Sequence, residues 1–403
     1  MEHQGICTFA FASTEGLMPD YRFSLSSKLP RTGITIFTRM SNLAREKNAI
    51  NLSQGFPGFD VPDALKNHVA DAMRNGLNQY APMQGVLALR EAVVDLRHKL
   101  NGVHYDANEE VVITAGATQA IFTAILALIR EDDEVVIFTP AYDCYAPAVE
   151  LAGGKPIYVK LKAPDYHIDW AEVRKVVNRK TRMILINTPH NPTGAILSEN
   201  DLHELDHLTE GSDTIVLSDE VYEYMVFDGN KHHSPASHVK LADRTLCVGS
   251  FGKTFHATGW KTGYIVGPAQ LMAEFRKVHQ YNVFATNAPM QHGLAAFIRE
   301  APEHIKGLSD FYRQKRDRFL AGIEGSRFKF TPTPGTYFQL LNYSAIDKGD
   351  DLTLAERLTA HPGVASIPVS VFYHQPENNK VLRFCFAKTD EELDEATRRL
   401  KTL

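Results

Sequence analysis

Between Glu110 and about Gly267 the chain alternates short β-branched runs with longer helical patterns. That alternation restricts the architecture to βαβ units around a mostly parallel sheet. The strand runs read as Val111–Thr114, Val135–Phe138, Ile157–Val159, Met183–Ile186, Thr214–Leu217, Thr245–Val248 and Tyr264–Val266, enough for a seven-stranded sheet. All are short and apolar, as strands covered on both faces must be. Helices fit between them. Thr118–Arg130 has apolar residues at helical spacing, and Ser198–Leu208 opens on a serine with acids in its first turn.

Beyond about Pro289 the pattern changes. Charged helical segments around Pro302–Glu324 give way to short strands near Thr336–Leu341 and Val381–Phe386, which suggests a small α+β unit. The expected division is an N-terminal arm with part of the small unit over 1–60, a large α/β unit over 61–288 and the small unit over 289–403, with 1–28 as a loose arm. A chain of 403 residues has room for this.

Several function classes are disfavoured at once. A formal net charge of −5 provides no basic field for nucleic acid or an anionic membrane, so an anionic ligand must be held locally. Cys7, Cys144, Cys247 and Cys385 are scattered with no CxxC, which argues against a zinc site or a disulfide framework and fits a reducing compartment. No apolar run reaches the ~18 residues of a membrane span. The mildly apolar Ile6–Ala12 stretch lacks the basic start of a signal peptide, since the first arginine is Arg22. A cytoplasmic protein without metal is the expectation.

In open α/β sheets the ligand lies beyond the carboxyl ends of the strands. Here those ends are polar. Val111–Thr114 is followed by Gly116-Ala117-Thr118, Met183–Ile186 by Asn187 to Gly194, Thr214–Leu217 by Ser218-Asp219-Glu220-Val221-Tyr222, and Thr245–Val248 by Gly249 to Thr254 with Lys253. A single strand-end Asp or Lys is more often a helix cap or a solvated loop residue. Four such ends together imply one pocket for a polar organic ligand. The Gly252-Lys253-Thr254 triplet is not a P-loop, because that motif needs glycine where this chain has Cys247.

The segments LSQGFPGFD (52–60), NTPHNPTG (187–194), SDEVYE (218–223) and GSFGKTFHATGWKTGY (249–264) resemble, in order and spacing, those of the fold type I, class I and II aminotransferases. The resemblance runs from about Leu29 to the C-terminus. NQYAPMQG (78–85), PAYDCYAP (140–147) and the lysine of GWKTGY are similar to the methionine and kynurenine/glutamine branch.

The resemblance implies a pyridoxal 5′-phosphate enzyme, and the residue types suit that cofactor. Lys253 would bond its aldehyde and then, once displaced by substrate, shuttle a proton. Asp219 would keep the pyridine nitrogen protonated, a buried carboxylate favouring the neighbouring cation. Tyr222 and Asn191 would hydrogen-bond the phenolic oxygen, and Tyr142 would stack on the ring. The phosphate would sit at the helix start Gly116-Ala117-Thr118 with Ser250 and Lys261, a lysine where many relatives carry arginine. Tyr80 would reach the phosphate of a neighbouring subunit, which implies a homodimer. Arg383, with Gly55 and Asn191, would hold the substrate α-carboxylate; a structural ion pair is the competing reading of that arginine.

The implied activity is transfer of the α-amino group of a hydrophobic, sulfur-containing or aromatic amino acid to a 2-oxo acid by ping-pong chemistry. A β-lyase of the cysteine-S-conjugate type on the same scaffold, or a non-catalytic regulatory relative, are the alternatives. Phe37, Phe56, Tyr281, Phe284 and Tyr337 suggest an apolar side-chain pocket.

Overall fold

The computed structural model describes residues 24–30 and 32–403. The N-terminal arm expected over 1–28 therefore lies, through residue 23, outside the described residues, as does Cys7. The sheet strands are β1 (Val111–Thr114), β2 (Glu134–Thr139), β3 (Lys155–Lys160), β4 (Thr181–Asn187), β5 (Ile215–Asp219), β6 (Thr245–Ser250) and β7 (Gly263–Val266). Each expected run forms one of them, in the spatial order β1-β7-β6-β5-β4-β2-β3. Neighbours from β6 to β3 are parallel. Only β7 runs the other way, antiparallel to both β1 and β6.

The period-2 alternation of each strand sends side chains to two covered faces. Val135 and Ile137 of β2 share a core with Ile121 and Ile125 of helix α1 (Ala117–Leu128) and with Phe275 of α2 (Ala269–Asn282). Val136 and Phe138 face Trp170, Leu202 and Leu205 on the opposite side. The edge strand β3 departs from expectation. Its ends are exposed and most of its middle is only partly buried, unlike the other edge strand β1, which is buried throughout.

A second sheet of three antiparallel strands joins β8 (Phe338–Asn342), β9 (Ile367–Pro368) and β10 (Val381–Cys385), with β10 central. Phe319, Leu358, Phe384, Leu393 and Leu400 fill the core between it and its helices. Ile50–Asn51 pairs in parallel with Val364–Ala365, so the chain's early segment joins this layer. One expectation is corrected. The helix Ala288–Glu300, assigned from residue 289 onward to the small unit, packs instead on Asp63–Arg74 and Leu87–Asn101, and its Leu294 and Ile298 share a core with Val111 and Ile113 of β1. Among the described residues no helix is long and apolar enough to cross a membrane.

Candidate active site

A cavity of about 280 Å³ opens beyond the carboxyl ends of the parallel strands and is closed by β8 and β10. Every residue that the sequence assigned to cofactor or carboxylate binding lines it except Tyr80.

Lys253 stands on the short helical turn that follows β6. Its Nζ donates to the Tyr337 hydroxyl at 2.7 Å and to the Gly55 carbonyl at 2.9 Å. Burial, with Arg383 and Lys261 nearby, lowers its ammonium to about 8. Asp219 ends β5 and is 5% exposed. Its Oδ2 accepts from the Tyr145 hydroxyl at 2.5 Å and its Oδ1 from the Val221 N–H at 3.3 Å. Burial raises this carboxyl to about 6, and no cation pairs with it among the described residues. Tyr222 follows in the next turn, buried, its hydroxyl bonded to that of Tyr337.

Asn187 ties the ends of β4 and β5 together. Its Nδ2 donates to the Asp219 carbonyl at 2.9 Å, while its Oδ1 accepts from the Asn191 N–H at 2.7 Å. Asn191 is thereby aimed at β10, where its Oδ1 accepts from Arg383 Nη1 at 2.7 Å. Arg383 is 1% exposed and donates through Nη2 to the Ser53 carbonyl at 3.0 Å. Its guanidinium lies 3.9 Å from the Phe338 ring centre, with Phe37 and Phe372 each at 5.4 Å. Burial lowers it to about 10, its Nε has no partner, and no acid pairs with it among the described residues. The structural ion pair that could have explained this arginine is therefore not made.

Gly55 is a glycine for want of room. A Cβ there would come within 2.8 Å of Phe338 Cζ, the ring on which Arg383 rests. At the other end of the cavity Gly116 caps α1 at φ +83° with no side-chain cap, leaving the first N–H groups open. A Cβ on Gly116 would lie 3.6 Å from Lys261 Nζ. Lys261 makes no ion pair among the described residues, and its ammonium converges with a helix N-terminus on one end of the cavity. Ser250, Gly263 and Thr114 stand in one cross-strand row beside them.

Tyr80 is 84% exposed and rests edge-on against Phe284, outside the cavity. Of the aromatics expected to form an apolar pocket, Phe37 lines the cavity and Tyr337 is buried behind Lys253. Phe56, Tyr281 and Phe284 are instead 43%, 86% and 45% exposed on the surface of this chain.

Sequence reasoning missed Tyr145, the bond of Tyr337 to Lys253, and a buried network behind the site. Arg97 is fully buried, its Nη1 donating to both Glu220, at 2.8 Å, and Glu223. His232 and Ser234 also bond Glu220, and Tyr264 bonds Glu223. Burial opposes ionisation of Glu220, yet Arg97 and His232 hold it well below the usual carboxylate range. Burial leaves Glu223 raised. Glu220, Glu223 and His232 are close enough to suggest a metal site, but a guanidinium already lies between the carboxylates. The signal was present: Leu89, Val93 and Arg97 share one buried helix face, where an arginine needs a partner.

The family model for aminotransferases of class I and II matches residues 47–400. Methionine aminotransferase of Escherichia coli is 47% identical, over 94% of this chain and 98% of its own. Kynurenine–oxoglutarate transaminase 1 of Rattus norvegicus is 34% identical, over 91% of this chain and 96% of its own. The solved structure of N-succinyldiaminopimelate aminotransferase from Mycobacterium tuberculosis superposes with a TM-score of 0.91 at 37% identity, covering 94% of this chain and all of that one.

Proposed function

Because the chain belongs to the class I and II aminotransferases, we propose that it is a pyridoxal phosphate enzyme that moves the α-amino group of methionine, or of another hydrophobic, sulfur-containing or aromatic amino acid such as kynurenine, glutamine or phenylalanine, to a 2-oxo acid. The observation that carries the substrate reading is Arg383: a buried guanidinium without an acid partner, on the same cavity as Lys253 and Asp219. A desolvated fork of this kind binds a carboxylate bidentately, and an α-carboxylate is common to every amino acid.

The donor set fits the cofactor. Asp219 is a buried carboxylate lacking a cation and suits a protonated pyridine nitrogen. The uncapped start of α1 with Lys261 and Ser250 suits a phosphate dianion, and Asn191, Tyr222 and Tyr142 suit the ring between. When bound, pyridoxal phosphate supplies an electron sink for the pair left by loss of the substrate's Cα proton.

The chain's own residues do the rest. Arg383 and Asn191 fix the carboxylate and with it the face of Cα that is presented. Lys253, held low enough to be part neutral near pH 8, takes and returns the proton. Tyr80, exposed and outside its own cavity, supports a homodimer in which it completes the partner's phosphate site.

An amino-donor panel with purified, cofactor-loaded enzyme tests the substrate class. Methionine and aromatic donors should outrun glutamate, aspartate and N-succinyldiaminopimelate; the reverse order overturns the assignment. Release of pyruvate and ammonia from cysteine conjugates, faster than any transamination, would instead identify a β-lyase.

A further inference from the structure

The amine of Lys253 has a seat of its own, built from two segments distant in sequence. Tyr337 enters from the start of β8, and Gly55 from the segment before Asp63–Arg74. Both place an oxygen on Nζ, at 2.7 Å and 2.9 Å, and the Tyr337 hydroxyl also donates to the same Gly55 carbonyl. The ring of Tyr337 is fully buried and clamped edge-on by Tyr222 at 5.1 Å and Phe338 at 4.9 Å. No third acceptor holds Nζ among the described residues, so one position on the nitrogen is left for the cavity.

Resting on the aminotransferase reading, we propose that the Tyr337 hydroxyl and the Gly55 carbonyl form the dock for the Lys253 amine whenever it is released, and that Tyr337 is a positioning residue for proton transfer. A released lysine carries four rotatable bonds, and an undocked amine would sample many placements unsuited to one Cα–H. The dock fixes two of three directions on nitrogen and leaves the third for the proton in flight. Both oxygens accept, so the dock also favours the charged amine against burial. The other titratable groups around Nζ are Asp219, Tyr222, Cys385, Arg383 and Lys261.

The test compares Tyr337→Phe with the wild type, both reconstituted directly with pyridoxamine phosphate so that Lys253 is free. Labelling of Lys253 by an amine-reactive reagent is followed by mass spectrometry against pH. Loss of the acceptor should move the labelling midpoint down by roughly half a pH unit or more. The acid limb of the kcat profile should move with it, kcat falling tenfold or more while KM stays within twofold. A folded Tyr337→Phe protein with an unmoved midpoint overturns the dock. Should that variant not fold, 3-fluorotyrosine at 337 keeps ring and hydroxyl but weakens the acceptor; it should shift the midpoint the same way by less, and no shift overturns the proposal. The labelling midpoint is read without turnover. A wild type inactive on every amino donor would therefore sink the aminotransferase reading and leave the dock separately measured.

Discussion

The Tyr145 hydroxyl donates to Asp219 Oδ2 across 2.5 Å, from the start of one helix to the end of the strand two positions away in the sheet. Burial raises Asp219 and this bond lowers it, so Tyr145 favours the ionised carboxylate that a pyridinium requires. Tyr145→Phe should raise Asp219 further and weaken cofactor retention more at pH 6 than at pH 8. Equilibrium dialysis at the two pH values measures this, and equal weakening at both would show that the hydroxyl acts otherwise.

Asp219 should also weaken the cofactor-free fold. Its carboxyl titrates at about 6 when folded against 3.8 when free, so the folded state binds the proton more tightly between those values. Stability therefore falls as pH rises through that window, by on the order of 3 kcal/mol, and stays reduced above it. Cofactor-free Asp219→Asn should melt higher than wild type at pH 8, with the advantage shrinking toward pH 4.5. Adding pyridoxal phosphate should reverse the order, which paired melting curves would reveal.

Replacing Arg383 by lysine keeps a charge but loses the fork and the contact with Phe338. We expect kcat/KM to drop by roughly two to three orders of magnitude for every donor, in keeping with loss of a buried charge-assisted pair. Bound cofactor should stay near one per chain. A drop confined to one class of donor would assign the arginine to side-chain selection instead.

Lys253→Ala should abolish the visible absorbance of lysine-bound pyridoxal while the protein still retains cofactor through its other contacts. Mass spectrometry after borohydride reduction should find the label on Lys253 in the wild type alone. An unchanged spectrum in the variant would move the bond to another lysine.

Arg97 supports the site from behind. Arg97→Met would leave Glu220 and Glu223 buried without their cation and should destabilise the fold by about 3–5 kcal/mol. Chemical denaturation measures it. A loss under 1 kcal/mol would mean that the carboxylates protonate at little cost.

The expected strands and most of the cavity wall were legible because both depend on local order: apolar runs of strand length, then polar residues at their ends. What escaped depends on contacts between distant segments. Tyr337 lies 84 residues from Lys253 and Tyr145 lies 74 from Asp219, and neither stands out locally from an ordinary core aromatic. Ala288–Glu300 was misassigned for a related reason, since an apolar helix face says that it is covered and not which layer covers it. Phe56, Tyr281 and Phe284 were read as pocket from residue type alone, and on this chain they are exposed.

The reversed strand β7 carries the last consequence. Because it runs against β6, the connection that leaves the sheet at Ser250 returns to it at Gly263, directly across the same row. Lys253 and Lys261 thus ride on one arch whose two feet are stitched to adjacent strands, so their separation is set by the sheet rather than by the loop. Lengthening that arch would move one lysine relative to the other. Substitutions in the cavity wall outside the arch leave the spacing of the two lysines as the sheet sets it.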